Sequence, residues 1–488
     1  MVVNSLSFLL FFIVVFIVYY LPASRKNHKF QNFWLFITSY FFYGYADWKM
    51  IPLLLGSTVV FYGIGLWLKS EMEKGHTKKA SNITTLGVVL GVGVLLYFKY
   101  LNFFAESFAQ LLGAIGLHVS WTTLNIILPV GVSFFTFKLI SYVIEIHREH
   151  IQPSKDFIEF GTYVAFFPTI MSGPIDRPNK FIPQLKESRS FDYNMALDGF
   201  RQILWGLFTK LCIADNLATA TDSVWTSFSE ETGSTLVIVA FLYFIQLYAD
   251  FDGYSNMAIG VGKILGFNIA RNFNHPLLAR NMAEFWRRWH MSLTSWITDY
   301  VFMPLNIAFR ELGNVGVILA VMINLIVIGL WHGANWTFGL FGFYHGLLFI
   351  PLVFSGSFGK NKKIRPGNHG LPKMNDFLKM LGTFCLVSIA LIIFRADSVG
   401  DAISYMGGII SSSIISMPNI IVTRVTYLFI AILFLLEWYQ RDKEHPLQMK
   451  PAFLEKRKWL PIVLDYMVII AIILFGNFES NQFIYFQF

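Results

Sequence analysis

The sequence predicts an all-α, polytopic membrane protein, and three observations carry that expectation. Its 488 residues are 55% hydrophobic and only 14% charged, where a soluble chain carries about 25% charged residues. The apolar residues gather into runs close to the ~20 residues that a helix needs to cross a bilayer. The net charge of +8 falls in the loops between those runs, where the positive-inside rule places it. That distribution argues against nucleic-acid binding as the source of the charge. A single integral-membrane domain over residues 1–488 is the expected organisation.

The first apolar run, Leu6–Leu21, is followed by Arg25, Lys26 and Lys29 and preceded by no positive charge. That is the reverse of a cleaved signal peptide, so it reads as a first span with its N-terminus outside. Further spans are expected near 31–48, 51–69, 84–101, 125–146, 159–175, 194–214, 234–260, 314–331, 335–353, 374–395, 420–438 and 459–476. About eleven are expected to cross, because several runs are short or carry Gly and Pro and suit half-helices or re-entrant segments. The basic stretches Arg25–Lys29, Lys69–Lys79, Lys360–Lys373 and Arg441–Lys458 are assigned to the cytoplasm. The closing NFESNQFIYFQF then faces outward. Ser355–Lys373 is the most linker-like stretch, and no repeat is visible.

Polar residues inside the apolar runs are few. Lys138 lies in LPVGVSFFTFKLISYVIEIHREH (Leu128–His150) and either snorkels to the interface or faces a polar cavity. Pro168, Gly173, Pro174 and Pro178 break the helix within Phe166–Pro178, which suits a segment buried in protein or lining a cavity. YADFDGYSNMAIG (Tyr248–Gly260) places Asp250 and Asp252 at the end of an apolar run. A calcium loop needs Gly at position six and Glu at twelve. Counted from Asp250, those positions hold Ser255 and Val261, so calcium is rejected. The acids either pair with Arg271 or Arg287 or form a wall of a reaction cavity. The cysteines Cys212 and Cys385 lie in apolar runs without a CxxC, which excludes a disulfide framework.

Glu284–His345 is the stretch around which the chain is organised. Phe285, Trp286 and Trp289 share a helical face, and Glu284 precedes Arg288 by the four residues that favour an ion pair. Such a segment suits the membrane interface, with its tryptophans at headgroup depth. Of the eleven histidines, His28, His76, His147, His150, His369 and His445 lie in or beside polar loops, where solvated side chains explain them. His118 and His275 flank apolar segments. His290, His332 and His345 remain. Their separations of 42 and 13 residues lack the tight local pairs of zinc sites, so no metal is expected. Structural burial and acid–base chemistry stay open. There is no GxSxG elbow, Walker loop or GxGxxG fingerprint, so an enzyme of this sequence would transfer a group directly between bound substrates.

Several stretches together resemble the membrane-bound O-acyltransferases (MBOAT), and among them the bacterial alginate O-acetyltransferase branch. These are LPVGVSFFTFKLISYVIEIHR, FFPTIMSGPIDRP, GLFTKLCIADNLA, YADFDGYSNMAIG, FNHPLLARNMAEFWRRWHMSLTSWITDY, GLWHGANWTFGLFGFYHG, IIFRADS and FIYFQF. The pairing of FWRRWHMSL with GLWHGANW is the specific part. WHMSLTSWITDYVFM is also similar to the D-alanyl transfer relatives that modify teichoic acids.

The resemblance implies a ring of about eleven or more helices around a central funnel, with re-entrant and interfacial helices. It implies His332 as the catalytic histidine and His290 as a second functional residue. The donor implied is cytoplasmic acetyl-CoA or another acyl thioester, with no further cofactor. The activity implied is O-acetylation of an extracytoplasmic polysaccharide across the bacterial inner membrane, through an extracytoplasmic acetyltransferase partner. Arg287 and Arg288 suit the phosphates of such a donor. Asn335 suits polarisation of its carbonyl, and Asp252 and Trp331 complete the candidate substrate-binding residues. D-alanyl transfer from a carrier-protein thioester and a polysaccharide or lipid transporter are the competing readings.

Overall fold

The computed structural model describes residues 1, 3–21, 27–117, 127–360, 370–448 and 459–478. His118, His369, most of the 360–373 and 441–458 loops and the closing FIYFQF lie outside them. The described residues form helices and turns without a strand. In chain order the helices are α1 (Leu6–Tyr19), α2 (His28–Asp47), α3 (Ile51–Glu73), α4 (Thr77–Leu95), α5 (Leu101–Ala114), α6 (Val132–His147), α7 (Phe157–Ala165), α8 (Pro178–Leu185), α9 (Tyr193–Phe208) and α10 (Asp215–Thr226). There follow α11 (Gly233–Ile264), α12 (Met282–Trp286), α13 (Met291–Ile297), α14 (Met303–Ala308), α15 (Gly313–His332), α16 (Trp336–Phe354), α17 (Met374–Arg395), α18 (Val399–Ile409), α19 (Arg424–Tyr439) and α20 (Trp459–Phe475).

Among the described residues, six helical stretches are long and apolar enough to cross a membrane, and α1 and α20 are shorter apolar helices. The protein is therefore a multi-pass membrane protein. In the most apolar window of α11, 78% of residues are buried, against 11% for Thr77–Ala114. The first is enclosed by protein. The second turns its Leu, Val and Phe side chains outward, as lipid allows and water does not.

The chain forms two compact units, one of residues 1–203 and 257–270, the other of residues 204–256 and 271–488. In the first unit, α7 ends at Ala165 and the chain turns through buried residues until α8 starts at Pro178. Lys138 faces inward rather than snorkelling: its Nζ donates to the carbonyl of Tyr163 at 3.2 Å and to Thr169 Oγ1 at 3.0 Å. The broken segment is thus buried in protein, with an ammonium group satisfying backbone that the helix break left open.

In the second unit, a π-helical turn over Thr209–Ala214 brings Lys210 inward. Its Nζ lies 2.7 Å from Asp215 and 2.6 Å from Asp250. Asp250 is therefore paired with Lys210, a cation that the sequence reading did not assign to it. A cation already inside the helix packing neutralises the acid without either leaving a low-dielectric interior. The close approach of α15 to α16 needs two glycines. A Cβ at Gly329 would meet the carbonyl oxygen of Phe338 at 2.1 Å, and one at Gly342 that of Leu325 at 2.3 Å. This antiparallel pair carries His332 and His345.

Candidate active site

The segment Asn272–Met291 closes on itself. The Met291 amide donates to the Asn272 carbonyl at 2.7 Å, and the Asn274 amide to the Arg288 carbonyl at 3.0 Å. Arg288 Nη1 returns a bond to the carbonyl of Asn274 at 2.9 Å. Between those anchored residues His290 adopts φ 42°, and His275 near the other end adopts φ 51°. Left-handed backbone at a non-glycine residue costs about 1–3 kcal/mol and persists where surrounding contacts determine it. Here it ends one chain direction and lets α13 begin at the next residue, with the imidazole turned into the protein.

Aromatic rings connect the three histidines. His290 meets Phe251 edge-on at 4.7 Å and Trp331 at 5.6 Å. Trp331 contacts His332 at 5.0 Å. His332 is the last residue of α15, packed against Phe394 at 5.2 Å and Phe341 at 6.3 Å. Phe341 in turn contacts His345 at 4.6 Å. His290 and His345 are fully enclosed, and His332 is 5% exposed. Burial holds the His290 imidazole far below the usual histidine range, at about 3, so it is neutral at physiological pH. His345 Nδ1 accepts from Trp286 Nε1 at 3.4 Å. Among the described residues, no group of three or more His, Cys, Asp or Glu is placed to hold a metal ion.

Two cavities approach His332 along the helix that carries it. One, of about 280 Å³, is lined by Trp286, Arg287, Asn324, Ile328, Phe358 and Gly359 among others. It runs along α15 as far as Ile328, four residues and about 6 Å of rise short of His332. The other, of about 340 Å³, begins at Gly333 and continues over Asn335, Thr337, Arg395 and Asp397. The α16 helix runs from the second cavity towards the first.

The remaining sequence-predicted residues divide. Arg287 lines the first cavity and donates to the carbonyls of Phe358 at 3.3 Å and Lys360 at 3.2 Å. Arg288 instead pairs with Glu284 at 2.9 Å, a carboxylate that also holds Arg280 at 3.0 Å. Asn335 caps α16: its Oδ1 accepts from the Thr337 amide at 3.1 Å, and its Nδ2 donates to the Asp397 carbonyl at 2.8 Å. Asp252 is buried with its Oδ2 accepting from Asn256 at 2.8 Å, and it lines neither cavity. Trp331 is buried between His290 and His332.

Two expectations from sequence are corrected. Phe285, Trp286 and Trp289, expected on an outward interfacial face, are instead buried among one another and Phe244. Their rings find aromatic partners from α11 and α16, which a helix-face pattern does not reveal. His445 is fully buried rather than solvated, because the turn after α19 folds inward beside Arg271 and His275, which approach Lys443. Sequence reasoning also passed over Asn272 and Asn324. Asn324 Oδ1 is buried without a hydrogen-bond partner among the described residues and faces the first cavity's wall. A mid-span asparagine was the available signal for it.

The family model for the membrane-bound O-acyltransferase family matches residues 148–358, a range that holds all three histidines and the closed segment before α13. The chain is 36% identical to the probable alginate O-acetylase AlgI of Pseudomonas aeruginosa over 404 residues, 82% of this chain and 73% of that protein. It is 30% identical to the peptidoglycan O-acetyltransferase of Helicobacter pylori, over 86% of this chain and 81% of that one. A teichoic acid D-alanyltransferase of Streptococcus thermophilus is 31% identical over 60% of this chain and 75% of its own length. On that extent of similarity, this chain belongs to the membrane-bound O-acyltransferase family and is an O-acyltransferase.

Proposed function

We propose that this enzyme moves an acetyl group from cytoplasmic acetyl-CoA across the bacterial inner membrane for O-acetylation of an extracytoplasmic polysaccharide. The observation that carries the reading is a pair of cavities flanking His332 in the chain, one lined by α15 as far as Ile328 and the other beginning at Gly333. The first is lined by Phe358 and Gly359, just before the Lys-rich 360–373 loop, and basic loops belong to the cytoplasm. Its volume suits the pantetheine arm of an acyl thioester, and Arg287 at its wall suits the donor's phosphates. The second, more polar cavity suits an acceptor hydroxyl, with Asn335 shaping its edge.

In the reaction, the acceptor hydroxyl oxygen attacks the thioester carbonyl carbon and the carbon–sulfur bond breaks. His332 takes the hydroxyl proton as general base and returns it to the departing thiolate. His290, neutral and enclosed, fixes Trp331 and through it the His332 ring, and Asp252 steadies α11 behind them. The hydroxyl belongs to the polymer or to an extracytoplasmic acetyltransferase partner that passes the group on. We read residues 1–488 as a single integral-membrane domain of the family, whose resemblance implies about eleven or more helices around a central funnel.

The test is release of free CoA from labelled acetyl-CoA by the detergent-purified protein, alone and with a candidate partner. Release that disappears in His332→Ala supports the reading. Release with a D-alanyl carrier-protein thioester and none with acetyl-CoA would transfer it to the D-alanyl chemistry named for the Streptococcus relative.

A further inference from the structure

We infer that Asn272 is the positioning residue for His290. The inference rests on the preceding reading only in taking His290 as part of the acyl-transfer site. Asn272 is 1% exposed and ties α11 to α13 with one side chain and one carbonyl. Its Nδ2 donates to Ser255 Oγ on α11 at 2.9 Å. Its Oδ1 accepts from Ser292 Oγ on α13 at 2.5 Å. Its backbone carbonyl accepts from the Met291 amide at 2.7 Å.

The two residues after His290 are therefore bound to Asn272, and Asn272 is bound to the helix that presents Phe251 to the His290 ring. Positive φ is uncommon at a residue other than glycine, so the conformation of His290 is held by contacts. Clamping the residues after it to α11 supplies those contacts. An amide fits the role because it offers a donor in one direction and an acceptor in the other. With alanine, the Met291 amide keeps its carbonyl partner, while α13 and α11 lose their common tether. The imidazole is then free to shift, and misplacement of about 1 Å costs up to ~10²-fold in rate.

The experiment is a double-mutant cycle on acyl-transfer rate, read with donor KM and membrane level. Asn272→Ala is expected to lower kcat by about 10–100-fold, with the acetyl-CoA KM within about twofold of the parent. In a His290→Ala background the same substitution is expected to add nothing, because it acts through the missing ring. Losses that multiply in the double variant, or parental turnover in Asn272→Ala beside an impaired His290→Ala, would overturn the positioning role. Parental turnover in His290→Ala would instead remove His290 from the site and so overturn the reading on which the inference rests. Should Asn272→Ala not accumulate, the cycle is run with Ser292→Ala. That variant removes the hydrogen bond to Asn272 Oδ1 and is expected to lower kcat about 2–10-fold, again only where His290 is present.

Discussion

His290 and His332 are joined through a single ring. The indole of Trp331 lies 5.6 Å from the first imidazole and 5.0 Å from the second, edge to face in both contacts. The two histidines are 42 residues apart in sequence, one on a closed loop and one at a helix end. Trp331 fixes their relative placement because aromatic rings resist sliding past one another in a close-packed interior.

Trp331→Phe should keep most of that packing and therefore most of the activity. Trp331→Ala should lower thermal stability by about 3–5 kcal/mol, the usual range for emptying a buried aromatic position, and should depress turnover with it. Equal turnover for the two variants would show that the ring does not set the histidine geometry. Thermal unfolding in detergent and acyl-transfer rate, measured on the same preparations, decide it.

His332→Ala should insert normally and lose about 10²–10⁴-fold in rate, the usual contribution of a positioned base. His345 is enclosed and bonded to Trp286, so His345→Ala should mainly reduce membrane level and thermal stability. Rates normalised to membrane expression separate the two. Near-parental turnover in His332→Ala would take that residue out of the mechanism.

Arg287 and Arg288 should part company. Arg287→Gln should raise the acetyl-CoA KM several-fold with unchanged unfolding temperature, since this side chain faces a cavity and a loop. Arg288→Gln removes a charged hydrogen bond to Glu284 and one to the Asn274 carbonyl. It should cost about 1.5–3 kcal/mol of stability with little change in KM. The opposite assignment of effects would exchange their roles.

The pH dependence of stability should carry the signature of His290. Its folded pKa of about 3 lies below the unfolded value near ~6.5, so the unfolded chain binds the proton first. The stability that this residue contributes is full above about pH 6.5 and is lost as pH falls from there towards 3. Unfolding temperature should therefore drop faster between pH 6.5 and 4.5 in the parent than in His290→Gln. Parallel curves would mean that the imidazole is solvated.

Features under short-range control are legible along the chain. Run length and hydropathy placed the long apolar helices. The spacing of Glu284 and Arg288 set an ion pair along one helical turn. The end of the apolar run at Trp331 put His332 at a helix terminus, and clustered proline and glycine marked the break after Phe166. Tertiary structure decided the rest, because each remaining feature depends on a partner far along the chain. Asp250 is neutralised by Lys210, 40 residues earlier. Lys138 turns inward to carbonyl and hydroxyl groups beyond the next turn. Phe285, Trp286 and Trp289 are buried against rings on other helices. His290 owes its left-handed backbone to anchors at Asn272 and Asn274. Hydropathy and helical periodicity report how a segment meets its solvent. Which buried polar group finds which partner is settled only when the helices pack, since an unpaired polar group there is costly enough to select the arrangement that satisfies it.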